Sequence, residues 1–176
     1  MERKVILVDF HDRPLGEMGK GEAHQAPRLH RAFSVFLYQG SKMLIQQRAM
    51  GKYHCPGIWA NTCCSHPMPG EDTAQAARRR LKEETGITHE GLQELFAFTY
   101  CAPFENGLWE YEYDHVYVGE YGGEFLFDPE EVARMEWVEI EELLEDMVKQ
   151  PSKYAPWFLI AAPRVIQWIE TGKSGW

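Results

Sequence analysis

A chain of 176 residues, of which 44% are hydrophobic and 26% charged, has the composition of one soluble globular domain and excludes extensive disorder. Its formal net charge of −9 argues against binding to nucleic acid, because the phosphate backbone is held mainly by Lys and Arg. The longest apolar stretch, residues 157 to 163, is too short to cross a bilayer, so no membrane partner is expected.

The first third of the chain is typical of short strands separated by turn residues. We predict strands at residues 5–10, 32–38, 43–48 and 58–63. A turn follows the first strand at residues 13 to 16, where Pro and Gly occur. The second and third strands are rich in β-branched and aromatic residues and form a predicted hairpin around Gly40.

The clearest predicted helix follows the loop at residues 67 to 70. Asp72 is a suitable N-cap, with Gln75 three positions later, and Gly86 is a suitable C-terminal stop. The remainder of the chain predicts three strands and two helices. These lie at residues 95–101, 109–119 and 135–140, and at residues 141–148 and 156–171. Because no repeat or linker interrupts this order, we expect a single domain over residues 1–176.

The four cysteines show neither a CxxC pair nor the spacing of a secreted disulfide framework. No apolar leader segment precedes them. A reducing, cytoplasmic location is therefore expected.

Two carboxylates alternate with aromatic residues in the predicted strand at 109–119. Side chains alternate along a strand, so Glu110 and Glu112 share one face. The pair can be a solvated edge, or a buried pair that requires a metal or a shared proton. With His24, His30 and His66 it would form a site of nitrogen and oxygen ligands suited to Mn²⁺, Mg²⁺ or Zn²⁺. Taken singly, each histidine is more often a surface or hydrogen-bonded residue.

The helix after residue 72 resembles the Nudix signature. The matching frame begins at Ser65 and Glu71, continues from Arg79 to Glu84, and ends at Gly86 and Ile87. Ser65 stands where the signature has glycine, and Arg80 stands where it has the first glutamate of the metal-binding trio. These departures argue against hydrolysis by the usual Nudix route.

Motifs over most of the chain resemble type I isopentenyl diphosphate isomerase, a family that uses the Nudix fold. The motifs are Lys20 with His24, residues 29–34, residues 56–62, Cys64 with His66, Tyr100, residues 110–112 and residues 155–157. The resemblance implies an α+β fold with a Nudix-type mixed β-sheet flanked by helices. It also implies interconversion of isopentenyl and dimethylallyl diphosphate in isoprenoid precursor biosynthesis.

The resemblance assigns roles to four residues of the hydrocarbon site. Cys64 matches the catalytic thiol and Glu112 the catalytic carboxylate, and we expect them on opposite faces of the substrate. Tyr100 is expected to hydrogen-bond Glu112, and Trp157 to face the developing cation. Without the family, Cys64 would be a small buried apolar residue, and Tyr100 and Trp157 would be packing residues.

The resemblance also assigns the charged tail of the substrate. Four cations are expected to hold the diphosphate: Lys20, Arg48, Lys52 and Arg80. Glu84 is expected to bind Mg²⁺ with the diphosphate, and the backbone of Cys64 is a candidate further ligand. The structural alternative is that Arg80 forms an ion pair with Glu84 one helical turn later. The metal of the histidine site would position Glu112, and no flavin is expected.

Two rival functions stay open at the level of sequence. A Nudix hydrolase would release phosphate or pyrophosphate from a nucleoside or other diphosphate, with no isomer formed. A non-catalytic Nudix-like binding module would keep its activity when Cys64 is replaced. Cys64, Tyr100 and Trp157 favour the isomerase, because hydrolysis has no use for them.

Overall fold

The computed structural model describes residues 3–52, 55–104 and 106–172. Nine strands lie within these ranges: β1 Lys4–Val8, β2 Pro14–Gly19, β3 His30–Gln39, β4 Lys42–Arg48, β5 Trp59–Ala60, β6 Cys63–Ser65, β7 Gln93–Pro103, β8 Trp109–Glu120 and β9 Val132–Glu139. The helices are α1 Lys20–Gln25, α2 Thr73–Thr85, α3 Ile140–Lys149 and α4 Pro156–Glu170, with a 3₁₀ turn at Pro151–Lys153. The predicted domain limits, residues 1 and 176, lie outside the described residues.

The sheet is built around β3, which pairs along one edge with β8 in parallel from His30 to Tyr38. Its other edge pairs in turn with β1, β6 and β4, all antiparallel. β7 continues the sheet beyond β8, and β9 continues it beyond β4. This combination confirms the predicted mixed sheet.

Helices cover both faces of the sheet because the side chains of β3 and β8 alternate between two cores. Phe33, Val35 and Leu37 pack with α2, whereas Phe36 packs on the other face with α4. In β8, Val116 and Val118 also face α4. The even-numbered positions of β8 therefore point toward α4, which gives the direction of the carboxylates earlier in this strand.

The predicted limits of α2 are confirmed at both ends. The Asp72 side chain accepts a hydrogen bond from the Gln75 backbone N–H, which satisfies one orphan donor of the first turn. Gly86 ends the helix in the left-handed conformation, with φ 70°. Its backbone N–H donates to the Lys82 carbonyl.

Three features of the fold differ from the sequence prediction. The turn predicted at residues 13 to 16 is replaced in part by β2, an exposed strand with little hydrophobic alternation. The short helix α1 was not predicted, since six residues carry too little periodicity. The single strand predicted at 58–63 is two strands, because Asn61 and Thr62 replace the ladder with side-chain hydrogen bonds to neighbouring backbone.

None of the helices in the described part of the chain combines the length and apolarity needed to span a lipid bilayer.

Substituting Gly86 with alanine tests the stop signal of α2. An added Cβ would strain the positive φ and would lie 3.0 Å from the Leu126 carbonyl oxygen. We expect Gly86→Ala to lower the free energy of unfolding by roughly 2–3 kcal/mol. The matched control is Gly107→Ala, where φ is 76° and no atom lies within 4 Å. It should lose only roughly 1 kcal/mol. If urea denaturation shows the same loss of unfolding free energy in both variants, the contact with Leu126 does not contribute to the effect of Gly86→Ala.

Candidate active site

Seven residues predicted from sequence line one cavity between the sheet and α4. They are Lys20, Arg48, Cys64, His66, Glu110, Glu112 and Trp157. The cavity has a volume of about 30 Å³, which is room for roughly one water molecule. It also brings the thiol and the two carboxylates to the same space, although β6 carries the thiol and β8 carries the carboxylates.

The carboxylates of β8 confirm the predicted alternation. Glu110, Glu112 and Asp114 are all buried, whereas the aromatic residues between them are only partly covered. The Tyr100 hydroxyl lies 2.6 Å from Glu112 Oε2 and 2.8 Å from Glu110 Oε2, and its single proton is shared between these two acceptors, of which Glu112 is the nearer. Tyr100 and Glu112 are register partners of β7 and β8. The hydrogen bond predicted between them is therefore present, and it follows from the sheet itself.

Three histidines meet the Glu112 carboxylate. One ligand atom each from His24, His30, His66 and Glu112 lies within 4.8 Å of the other three. Glu110, the fifth predicted ligand, lies beside this group, with Oε1 3.9 Å from His24 Nε2. The sheet register explains part of this, because His30 on β3 is paired with Glu112 on β8.

The second nitrogen of two imidazoles is fixed by backbone carbonyls. His24 Nδ1 lies 2.6 Å from the Lys20 oxygen, and His30 Nδ1 lies 2.7 Å from the Arg28 oxygen. Each Nδ1 must donate, which turns the lone pair of Nε2 toward Glu112. His30 Nε2 and His66 Nε2 lie only 3.2 Å apart. Two inward nitrogen lone pairs beside a carboxylate fit a divalent cation, and this outer hydrogen bonding is typical of metal-binding histidine.

The ionisation of these groups favours cation binding. Burial lowers the pKa of His24 and brings that of His66 well below its usual value. Burial also opposes charge on Glu112, but hydrogen bonds, first from His30, outweigh it and lower its pKa to about 2. Burial likewise opposes charge on His30, but the Glu112 contact raises its pKa. The site is therefore anionic at the carboxylate, the form that a metal requires.

The Cys64 thiol is held in its protonated form. Burial raises its pKa well above the usual value, although the Arg48 Nη1 atom lies 3.9 Å from Sγ and favours the thiolate. The residue sits on β6 next to Ser34 of β3. A buried thiol near the ionised Glu112 is a proton donor at neutral pH rather than a nucleophile.

Trp157 forms the wall of the cavity and is fixed by a residue to which sequence reasoning assigned no role. Its Nε1–H donates to Asn61 Oδ1 over 3.1 Å, and Asn61 Nδ2 donates to the Val35 and Cys63 carbonyls. Asn61 therefore couples the ring to the strand that carries Cys64. No pattern in the sequence reveals this, because the contact spans 96 positions.

The four predicted diphosphate cations fall into two pairs. Lys20 and Arg48 line the cavity with Cys64. Lys52 forms an ion pair with Glu131, and Arg80 Nη2 lies 2.5 Å from Glu84 Oε1. The predicted alternative pairing of Arg80 with Glu84 is thus confirmed. The Glu84 carboxylate, the predicted Mg²⁺ ligand, is buried, and burial raises its pKa although Arg80 acts in the opposite direction.

A second cavity, of about 280 Å³, adjoins the first and shares Lys20, Ser65 and His66 with it. Arg80 and Arg79 also line it, so basic residues dominate this chamber. We name the two spaces the inner chamber, which holds Cys64 and Glu112, and the outer chamber, which holds Arg79 and Arg80. The basic residues that the two chambers hold suit a substrate with a charged tail.

Asp114 was missed by sequence reasoning, although its even position on β8 could have revealed it. Its Oδ2 accepts a hydrogen bond of 2.7 Å from the Ser34 hydroxyl, and its Oδ1 has no hydrogen-bond partner among the described residues. Burial, with the nearby Glu112 charge, raises the pKa of Asp114 well above its usual value. The third carboxyl of this face is therefore neutral, unlike Glu112.

Comparison with known proteins places these features in a family. The NUDIX domain family matches residues 28–158. The chain is 47% identical to Isopentenyl-diphosphate Delta-isomerase 2 of Aromatoleum aromaticum, over 94% of this chain and 88% of that protein. It is 45% identical to Isopentenyl-diphosphate Delta-isomerase 1 of the same organism, over 99% and 98%. The isomerase of Serratia proteamaculans is 44% identical over 90% and 89%.

Solved structures agree on the fold. DR0079 from Deinococcus radiodurans superimposes with a TM-score of 0.69 at 21% identity, over 84% of this chain and 90% of that one. A MutT protein from Methanosarcina mazei Go1 gives 0.61 at 14% identity, over 84% and 96%. At such identities the likeness concerns only the Nudix fold, which confirms the predicted architecture.

Removing one imidazole tests the metal centre. We expect His66→Ala to weaken Mn²⁺ binding by roughly 100-fold, because one ligand of a buried set is lost. Metal content after dialysis should fall, and the rise in melting temperature on adding Mn²⁺ should disappear. His11→Ala, at an exposed histidine, is the matched control and should behave like the wild type. Unchanged metal content in His66→Ala would exclude this cluster as the binding site.

Asp114→Asn tests the neutral carboxyl. Because the folded pKa lies above the unfolded value of about 4, the folded chain holds the extra proton and loses stability as pH rises toward the folded pKa. The asparagine side chain does not titrate, so the variant does not lose stability in this way. In metal-free protein the free energy of unfolding of the variant should rise relative to that of the wild type between pH 5 and pH 8, by at most about 1.4 kcal/mol per pH unit.

Asp9→Asn is the control with the opposite sign. Hydrogen bonds from the Arg13 and His11 backbone lower the pKa of Asp9, so its contribution to stability is present above the unfolded pKa of about 4 and is lost as pH falls below it. Because that contribution is complete by pH 5, the difference in free energy of unfolding between this variant and the wild type should stay constant from pH 5 to pH 8. Parallel urea-denaturation profiles for wild type and Asp114→Asn would mean that Asp114 titrates alike in both states.

Proposed function

We propose that this chain, which belongs to the isopentenyl-diphosphate Delta-isomerase family of NUDIX-domain proteins, interconverts isopentenyl diphosphate and dimethylallyl diphosphate. The observation that carries the proposal is one cavity lined by the Cys64 thiol, the Glu112 carboxylate and the Trp157 ring. A hydrolase has no need for this combination.

The reaction moves a double bond by one position. The terminal CH₂ carbon of isopentenyl diphosphate gains a proton, and the CH₂ group between the double bond and the diphosphate-bearing carbon loses one. Positive charge develops on the tertiary carbon between these sites. The protein must therefore supply an acid, a base and an environment that tolerates a cation without admitting water.

Cys64 and Glu112 supply the two proton-transfer groups. The thiol is protonated and the carboxylate ionised at neutral pH, so one can donate while the other accepts. After a turnover the proton distribution is reversed, and the two groups exchange roles with the direction of reaction. Tyr100 holds the Glu112 oxygen and fixes the direction in which that carboxylate meets the substrate.

Trp157 stabilises the cation through its π face, a contribution of about 0.5–2 kcal/mol. The hydrogen bond to Asn61 keeps the ring in place. Most of the barrier must be lowered by positioning and by preorganised charge in a dry pocket. The burial of Glu112 and Trp157 in the cavity lining supports the exclusion of solvent from the cation.

The outer chamber and its cations support binding of the diphosphate tail. Lys20 lines both chambers and Arg48 lines the inner one, and Lys52 and Arg80 complete the proposed set of four cations. When bound with the diphosphate, Mg²⁺ would neutralise phosphate charge, and Glu84 with the Cys64 backbone would hold it. Mn²⁺, Mg²⁺ or Zn²⁺ would be held by His24, His30, His66, Glu110 and Glu112, where it would orient Glu112.

The helix α2 supports isomerisation over hydrolysis. Arg80 places its guanidinium on Glu83 and on Oε1 of Glu84, so the protein supplies positive charge where the Nudix signature has a further carboxylate. An intact diphosphate benefits from that cation. We also propose a cytoplasmic location, which the free thiols of Cys55, Cys63, Cys64 and Cys101 support.

Isotope incorporation tests the reaction. In deuterated water with Mg²⁺, the wild-type chain should convert isopentenyl diphosphate to deuterium-labelled dimethylallyl diphosphate. Cys64→Ala and Glu112→Gln should each lower kcat by about 10²–10⁴-fold, because each removes a proton-transfer group. Mass spectrometry measures the label, and circular dichroism verifies folding.

Cys101→Ala is the matched control, since that thiol is exposed and is not part of the cavity lining. It should retain full activity. Release of phosphate from the wild type without labelled isomer would favour a hydrolase. Full activity of Cys64→Ala would refute the role of the Cys64 thiol as a proton-transfer group.

A further inference from the structure

Two of the four cations proposed to bind the diphosphate, Lys52 and Arg80, contact the same acidic residue, Glu131. We propose that Glu131 is a positioning residue of the diphosphate site: its carboxylate holds Lys52 and Arg80 in the orientation that receives the diphosphate. The inference rests on the proposed function for the identity of the substrate, and it extends that function to a residue outside both chambers.

The Glu131 carboxylate bridges the two cations. Its Oε2 atom pairs with Lys52 Nζ, and its Oε1 atom lies 3.5 Å from Arg80 Nη2. The side chain is 22% exposed, so the pairing is partly shielded from water. Lys52 lowers the pKa of Glu131 against the opposing effect of burial. The bridge is therefore ionised at neutral pH.

The backbone of Glu131 is tied to the two segments that carry these cations. Its carbonyl accepts a hydrogen bond of 3.1 Å from the Ala49 N–H, in the segment that leads to Lys52. Its N–H donates to Asp128, whose own N–H donates to the Glu84 carbonyl of α2. The carboxylate thus stands at a fixed place between the loop after β4 and the helix that carries Arg80.

The donors of Arg80 show what this arrangement leaves for a ligand. Nη1 donates to Glu83 over 2.7 Å, and Nη2 donates to Glu84 with Glu131 nearby. Arg80 Nε is buried and has no hydrogen-bond partner among the described residues. The residue is 5% exposed and lines the outer chamber. Carboxylates occupy the two outer nitrogens, and a phosphate oxygen would satisfy the third.

Lys52 has the same spare capacity. An ammonium group has three donors, so it can keep Glu131 and bind a phosphate oxygen at once. Holding its flexible stem in advance lowers the entropy lost on binding. The negative charge also offsets repulsion between Lys52 and Arg80, which approach the same carboxylate. Glu131 therefore assists the anion rather than competing with it.

Inorganic diphosphate with Mg²⁺ is the direct probe. Glu131→Gln keeps the shape and removes the charge, and calorimetry should show its Kd for the probe raised roughly tenfold. KM for isopentenyl diphosphate should rise by the same factor, with kcat within about twofold, because the proton-transfer groups lie in the inner chamber. Glu131→Asp keeps the charge and should recover part of the loss. Glu130→Gln, at the exposed neighbour, is the matched control and should match the wild type.

A double-mutant cycle separates positioning from general destabilisation. If Glu131 acts through Lys52, Glu131→Gln should raise Kd by only about two- to threefold in a Lys52→Met background, the remainder acting through Arg80. An unchanged or lower Kd in Glu131→Gln, the same tenfold loss in both backgrounds, or a fall in kcat without a rise in KM would overturn the proposal.

Measuring diphosphate binding separately from turnover distinguishes a failure of the Glu131 proposal from a failure of the proposed function. A wild-type chain that binds Mg²⁺–diphosphate but forms no isomer would refute the proposed function, while the Kd comparison would still test Glu131. A wild-type chain that binds no diphosphate would overturn the role of Glu131 as well. Melting temperatures of all variants verify that each protein is folded.

Discussion

Burial of three carboxyl groups on one face of β8 is the constraint on which the site depends. Each buried charge costs on the order of several kcal/mol unless it is paired. The molecule meets this cost differently at each position. Glu112 is ionised among His30, His66 and Tyr100, whereas Asp114 is neutral against Ser34. Two protonation states on one strand face result from partners supplied by neighbouring elements.

Those partners come from distant parts of the chain, and the sheet determines which ones meet. Parallel pairing of β3 with β8 places His30 beside Glu112, and antiparallel β7 places Tyr100 on its other side. α1 contacts β8 and brings Lys20 and His24. The N-terminal segment is thus part of the candidate site, because it supplies one cation and one imidazole of the histidine cluster.

Sequence patterns correctly predicted the features that depend on neighbouring residues in the chain. Alternation on β8 gave the common face of Glu110 and Glu112, and capping rules gave the ends of α2. The convergence of histidines from α1, β3 and the chain after β6 depends on tertiary pairing, so only family resemblance could indicate it. The role of Asn61 escaped both approaches, because its bond to Trp157 follows from the local break between β5 and β6.

The two chambers separate two electrostatic requirements that conflict in one space. Protonating an alkene needs a dry pocket with few free charges, whereas holding a diphosphate needs several cations. Arg80 shows how the fold reconciles them, since its position on α2 keeps it in the outer chamber among carboxylates. A carboxylate at this position would leave Glu83 and Glu84 without their cation and would attract metal to the phosphates. In the proposed reaction the arginine would hold the charged tail, and the reactive carbon chain would lie between Cys64 and Glu112.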